Sequence, residues 1–174
     1  MKSIQKTEVL SQLHASNATQ NGFLRRTVDA AHQFYSFTLE DEQALFSLIW
    51  HYHKNSKILT PGTWVGGKVH TVGDVAKRML AHNWSFQELA QGKITGNYIP
   101  GWFQSCVEID QQFSYKKFNT LVVQLPNNTE RKDCPSGTFR IIDGTHRTVV
   151  LAHRILQKTT PFEPISCILV LPKP

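Results

Sequence analysis

Five consecutive residues carry more chemistry than a chain turn requires. Between Arg140 and Leu156 a strand-like apolar run ends at Asp143-Gly144, and a helix-like run opens at once with Thr145-His146-Arg147. Gly144 alone is enough to turn the chain. The acid, imidazole and guanidinium packed around it are surplus to that task. The first turn of a helix presents backbone N–H groups to an anion. Gly144 is expected to let a phosphate approach the backbone, with Thr145, His146 and Arg147 completing the phosphate-binding set. His146 and Arg147 add donors and positive charge, and arginine can grip phosphate through two parallel N–H bonds. Asp143 would repel a bare phosphate, so it needs another job. It can hold Mg2+ or accept a proton from an attacking hydroxyl or water, with His146 as the second catalytic candidate. These residue types suit phosphoryl chemistry on ATP or a similar nucleotide, assisted by Mg2+. The plainer alternative makes Asp143 a helix cap paired with Arg147. On the catalytic reading, Asp143→Asn lowers turnover and leaves stability nearly unchanged.

Two acids make a better metal site than one. Glu108 and Asp110, in Ser105-Cys106-Val107-Glu108-Ile109-Asp110, are candidates for the second, as is Glu130 in a polar link further on. Each is otherwise a solvated surface charge. The eight histidines offer no zinc spacing, since neither H-E-x-x-H nor paired C-x-x-C occurs. His51 and His53, two apart on an expected helix, point to different sides. His153 is expected to pack in the core. Trp64 and Trp102, placed on loops by their neighbours, are the better of the four tryptophans for stacking a base. Residues 71–89 have the loose spacing of a helix-turn-helix.

The elements that must hold these residues can be read from apolar periodicity. Leu121–Leu125 is a strand stopped by Pro126, and a turn-rich link leads to a second strand, Thr138–Ile142. A helix from Thr145 to about Gln157 turns Val149, Ala152, Ile155 and Leu156 inward. Pro161 and Pro164 end it, and Ile165–Leu171 is a last strand. Upstream, Thr38 is the expected N-cap of a helix carrying Leu45, Leu48, Ile49 and Tyr52 on one stripe. A loop at Pro61-Gly62 and Gly66-Gly67 precedes a helix from near Val72, with Val75, Met79 and Leu80 inward. A short helix capped by Ser85 follows, then an irregular stretch from Gly96 to Trp102. The expectation is a single α/β domain over residues 1–174. Residues 1–110 would be mainly helical, and 119–174 would form a nucleotide-binding core with a small mixed sheet.

Charge narrows the partners. The 174 residues include 19 Lys and Arg against 13 Asp and Glu, for a net charge of +6. Polyanions, either DNA or nucleotide phosphates, are the natural counterparts. The longest apolar runs are too short to span a bilayer. The polar start has no apolar signal core, and three widely spaced cysteines read as reduced thiols, so a cytoplasmic protein without a membrane partner is expected.

Asp143-Gly144-Thr145-His146-Arg147, set between apolar strands and opening a helix, resembles the signature of the ParB/sulfiredoxin superfamily. The resemblance covers about Leu121 to Leu171. It implies that the backbone and basic residues of this segment hold nucleotide phosphates. Thr145 stands where sulfiredoxins carry their nucleophilic cysteine, so sulfinic-acid repair is not implied. The G-E-R-R of partition ParB proteins is also absent. Free-serine kinases on this fold carry D-G-H-H-R, which Asp143, Gly144, His146 and Arg147 match. Size and basic charge are most similar to the plasmid-borne fertility-inhibition branch, with ATPase and DNase activities. That branch implies ATP hydrolysis and action on DNA. A small-molecule kinase and a non-catalytic nucleotide-regulated DNA-binding protein are the alternatives.

Overall fold

Segments such as Leu121-Val122-Val123 and Ile168-Leu169-Val170 have no polar side, which suits strands covered on both faces. The computed structural model describes residues 1–15, 22–51, 70–93, 100–118, 120–126 and 137–172. The chain runs β1 (Lys2–Ile4), α1 (Lys6–Ala15), α2 (Gly22–Ala30), β2 (Ala31–Leu39), α3 (Glu42–Ser47), β3 (Ile49–His51) and β4 (His70–Thr71). It continues through α4 (Val72–Ala81), α5 (Phe86–Ala90), α6 (Pro100–Gln111), β5 (Leu121–Gln124), β6 (Arg140–Asp143), α7 (Thr145–Leu156) and β7 (Ile165–Pro172). The strands form one seven-stranded mixed sheet in the order β1-β2-β7-β5-β6-β3-β4. β5 runs parallel to β7 and antiparallel to β6. The three strands expected from the last third therefore lie side by side.

Both faces of the sheet are covered, and successive residues of a strand feed different cores. Val122, Ile142, Ile168 and Val170 face α1 and α2, meeting Val9, Leu24 and Val28. Leu121, Val123, Ile141, Cys167 and Leu169 face the other way, among buried side chains of α3 to α7. In α7, Val149, Val150, Leu151, Ala152 and Ile155 are buried, so its apolar side docks the helix on that second face. This fixes where the helix starts relative to β6.

The α/β class holds, and the sheet is wider than expected. The described part of residues 1–110 is mainly helical, through α1 to α6, and it also supplies β1 to β4, which widen the sheet. Thr38 is not a cap. It lies in β2, paired with Ser166 of β7. The cap is Asp41, whose side chain accepts a 2.7 Å hydrogen bond from the Ala44 amide. α3 ends at Ser47, so Ile49 and His51 belong to β3 rather than to a helix. Tyr52, His53, Trp64 and both glycine loops lie outside the described residues. α4 and α5 start where expected, each under a capping box, from Thr71 with Asp74 and from Ser85 with Glu88. Leu80, expected inward, is 43% exposed. Pro100 to Trp102 are helical rather than irregular, since proline suits the first helical position, where its missing N–H costs nothing. Among the described residues no helix is long and apolar enough to cross a membrane.

Candidate functional site

β6 delivers Asp143 to the edge of the helical layer, and one residue later the chain is already in α7. Gly144 makes that possible with φ 99° and ψ 12°, a left-handed conformation that favours glycine. It also clears space. A Cβ at Gly144 would collide with the Leu121 side chain and stand 3.1 Å from Nη2 of Arg147. The glycine thus serves the packing of β5 and Arg147 against the turn, a role the sequence reading gave to an approaching phosphate. β5 and β6 shift register between Val122 and Val123, opposite this point; such irregularities re-aim side chains beside functional sites. No side chain caps α7, and its first intrahelical bond runs from the Thr148 amide to the Gly144 carbonyl, at 2.9 Å.

Arg147 reaches back one helical turn, and its Nη2 donates to Oδ2 of Asp143 at 2.8 Å. The two side chains are only 16% and 21% exposed. The guanidinium carbon lies 5.7 Å from the centre of the Phe118 ring. Burial lowers the pKa of Arg147, and the Asp143 carboxylate opposes that shift. The pairing half of the plainer alternative is therefore what the structure shows, while the capping half is not. Asp143 keeps further acceptor capacity in principle, since a carboxylate has two oxygens.

His146 does not supply the expected positive charge. Its ring stacks on Trp102, with centroids 4.2 Å apart and planes at 26°. Trp102 in turn meets Trp50 and Phe103 edge-on. Burial, with the Arg147 guanidinium adding repulsion, pulls the imidazole down to about 4. At neutral pH it is an uncharged ring with one donor and one acceptor nitrogen. Trp102 is helix-borne rather than loop-borne, and one of its faces is taken by His146.

Beside Arg147 lies a cavity of about 300 Å3 lined by Glu108, Ile109, Gln112, Phe113, Ser114, Phe118 and Arg147. Glu108 and Arg147 are thus brought to one place. Asp143, Gly144, Thr145 and His146 do not line it. Asp110 faces elsewhere and receives a 2.8 Å bond from Nη1 of Arg154, whose Nε donates to Thr160 at 3.0 Å. It is a brace between α6 and the end of α7 rather than a second acid beside Asp143. Glu130 lies outside the described residues. His153 is buried and meets Phe86 edge-on, as a packing residue should. Of α5, Phe86 and Leu89 are buried, and five residues are too few for a groove-reading helix.

Sequence reasoning missed Ile109, Gln112, Phe113, Ser114 and Phe118. The signal was the i,i+4 spacing of Glu108 with Gln112 and of Ile109 with Phe113, visible once residues 100–111 are read as helix. Among the described residues no group of three or more His, Cys, Asp or Glu side chains could hold a metal ion. Asp143 alone does not fit a Mg2+ held by protein ligands, although a cation carried in by nucleotide phosphates would need only one or two carboxylates. The chain matches no family model, and no curated protein or solved structure matches it at a significant level.

Proposed function

We propose that this chain is a nucleotide-binding protein of ParB/sulfiredoxin type. It takes the phosphates of ATP or a similar nucleotide at Gly144–Arg147 and hydrolyses them in support of an action on DNA. The observation that carries the reading is the junction of β6 and α7, with a helix start that no side chain caps and with Arg147, in its first turn, lining a cavity of about 300 Å3. Helix starts of this kind favour anions, and the dipole adds to the attraction. The net charge of +6 favours a polyanionic partner. His146, uncharged at neutral pH, and the second oxygen of Asp143 are the groups able to accept a proton from an attacking water.

The Asp143–Arg147 ion pair favours a second reading. If holding Arg147 is the whole task of Asp143, the chain binds nucleotide without hydrolysing it and regulates DNA binding instead. Nucleotide affinity, turnover of ATP and GTP, and plasmid nicking in wild type, Arg147→Ala, Asp143→Asn and His146→Gln separate the two. Loss of Arg147 removes a charge-assisted contact worth about 1.5–3 kcal/mol, which is roughly 10- to 150-fold in affinity. Catalysis requires wild-type turnover that falls by roughly 10²–10⁴-fold in one of the other two variants. Unchanged nucleotide affinity in folded Arg147→Ala refutes the site itself.

A further inference from the structure

The cavity beside Arg147 has a composition that the phosphate reading leaves unused. Ile109, Phe113 and Phe118 give it apolar walls, while Glu108, Gln112 and Ser114 set hydrogen-bonding groups around it. Glu108 and Gln112 sit one helical turn apart, so both reach the same opening. At about 300 Å3 it stands at the small end of ligand pockets. That suits one flat ring system and not a whole nucleotide. Arg147 belongs both to the cavity wall and to the first turn of α7. Arg147 is thus the one residue shared by the proposed phosphate site and the cavity.

We propose that this cavity is a nucleobase pocket and that Glu108 makes it select guanine over adenine. The proposal rests on the nucleotide reading and adds the class of base. A carboxylate only accepts hydrogen bonds. Guanine offers it two adjacent donors, the ring N1–H and the N2 amino group, and presents O6 as an acceptor to an amide or guanidinium donor. Adenine turns a bare ring nitrogen toward the same place, which a carboxylate repels. The apolar walls accept either purine, so the discrimination falls to the rim.

The test is calorimetric titration of GDP, ADP and inorganic tripolyphosphate into the full chain, as wild type and as Glu108→Gln. Glu108 is an exposed residue, and matched melting curves establish that the variant is folded. The expected result is GDP binding about 10- to 100-fold tighter than ADP, the range for hydrogen bonds to a charged group. In Glu108→Gln the preference should shrink to about threefold or less, while tripolyphosphate binding stays the same. Equal affinity for GDP and ADP, a preference for ADP, or an unchanged ratio in Glu108→Gln overturns the guanine pocket and leaves the phosphate site standing. If none of the three ligands binds wild type, the nucleotide reading falls and this pocket falls with it.

Discussion

Replacing Asp143 by Asn tests whether this acid is a counterion, and the structure changes the expected result. Sequence reasoning predicts almost no loss of stability, because Asn keeps the shape and can still cap a helix. In the structure Asp143 caps nothing. It holds the Arg147 guanidinium at 2.8 Å, with both side chains largely shielded from water. In Asp143→Asn an amide oxygen can still accept from Nη2, so a bond with a charged donor remains, but the guanidinium loses its counterion. Exposed ion pairs contribute about 0–1 kcal/mol, and this pair is largely shielded from water, so a loss of about 1–2 kcal/mol is expected. The cost of breaking a fully buried pair, about 3–5 kcal/mol, is the ceiling. A chain of this length loses about 2–4 °C in Tm per kcal/mol, giving an expected drop of about 2–8 °C. Urea and thermal melts of Asp143→Asn, Arg147→Met and the double variant close a cycle. The double variant should be more stable than the two single losses added together, because neither partner is left stranded. Additive losses, or a melt of Asp143→Asn within about 1 °C of wild type, would refute the counterion role.

Two further outcomes follow from the same turn. His146 has a folded-state pKa of about 4 against about 6.5 in an unfolded chain, so the unfolded state binds more protons in between. Stability should therefore fall as pH drops from about 6.5 toward 5, with His153, also lowered by burial, adding in the same direction. Urea midpoints measured from pH 7.5 to 5 should show this slope, and His146→Gln should flatten it; a flat wild-type profile contradicts the burial of these rings. Gly144→Ala forces a left-handed residue, at about 1–2 kcal/mol, and drives a methyl into Leu121, at a further 1–3 kcal/mol or so. A thermal melt that loses less than about 1 kcal/mol would show that β5 yields easily at this point.

The parts of the fold that were legible in the chain are those whose local pattern agrees with their surroundings. β5, β6 and β7 carry dense apolar runs because they lie at the centre of a sheet covered on both faces, and α7 does because it packs against one of those faces. α4 and α5 announce themselves through Thr71-x-x-Asp74 and Ser85-x-x-Glu88, whose reciprocal bonds need nothing beyond four residues. β1 and β2 are different. β1 buries only Ile4, and β2 buries only Phe34 and Leu39. Their strand state comes from pairing, with β2 laid antiparallel along β7 from Leu39 to Ala31, and no local window contains that partner. Ile49 continues a helical stripe in sequence, yet its amide donates to the Phe139 carbonyl at 2.8 Å, which puts it in the sheet.

The same division runs through the candidate site. The four-residue spacing of Asp143 and Arg147, across the start of a helix, can be read directly as a pair, and it forms. What fills the space around the pair comes from afar. Leu121 closes the side of Gly144 that a Cβ would need, Trp102 covers His146, and Phe118 lies under the guanidinium. These contacts turn a motif of two basic residues into one of a single charge, already engaged by an acid. An anion arriving at α7 must therefore share Arg147 with Asp143 or draw it away. In either case binding has to compete with an interaction that stabilises the fold, so under the proposed function nucleotide affinity and the strength of the ion pair are linked.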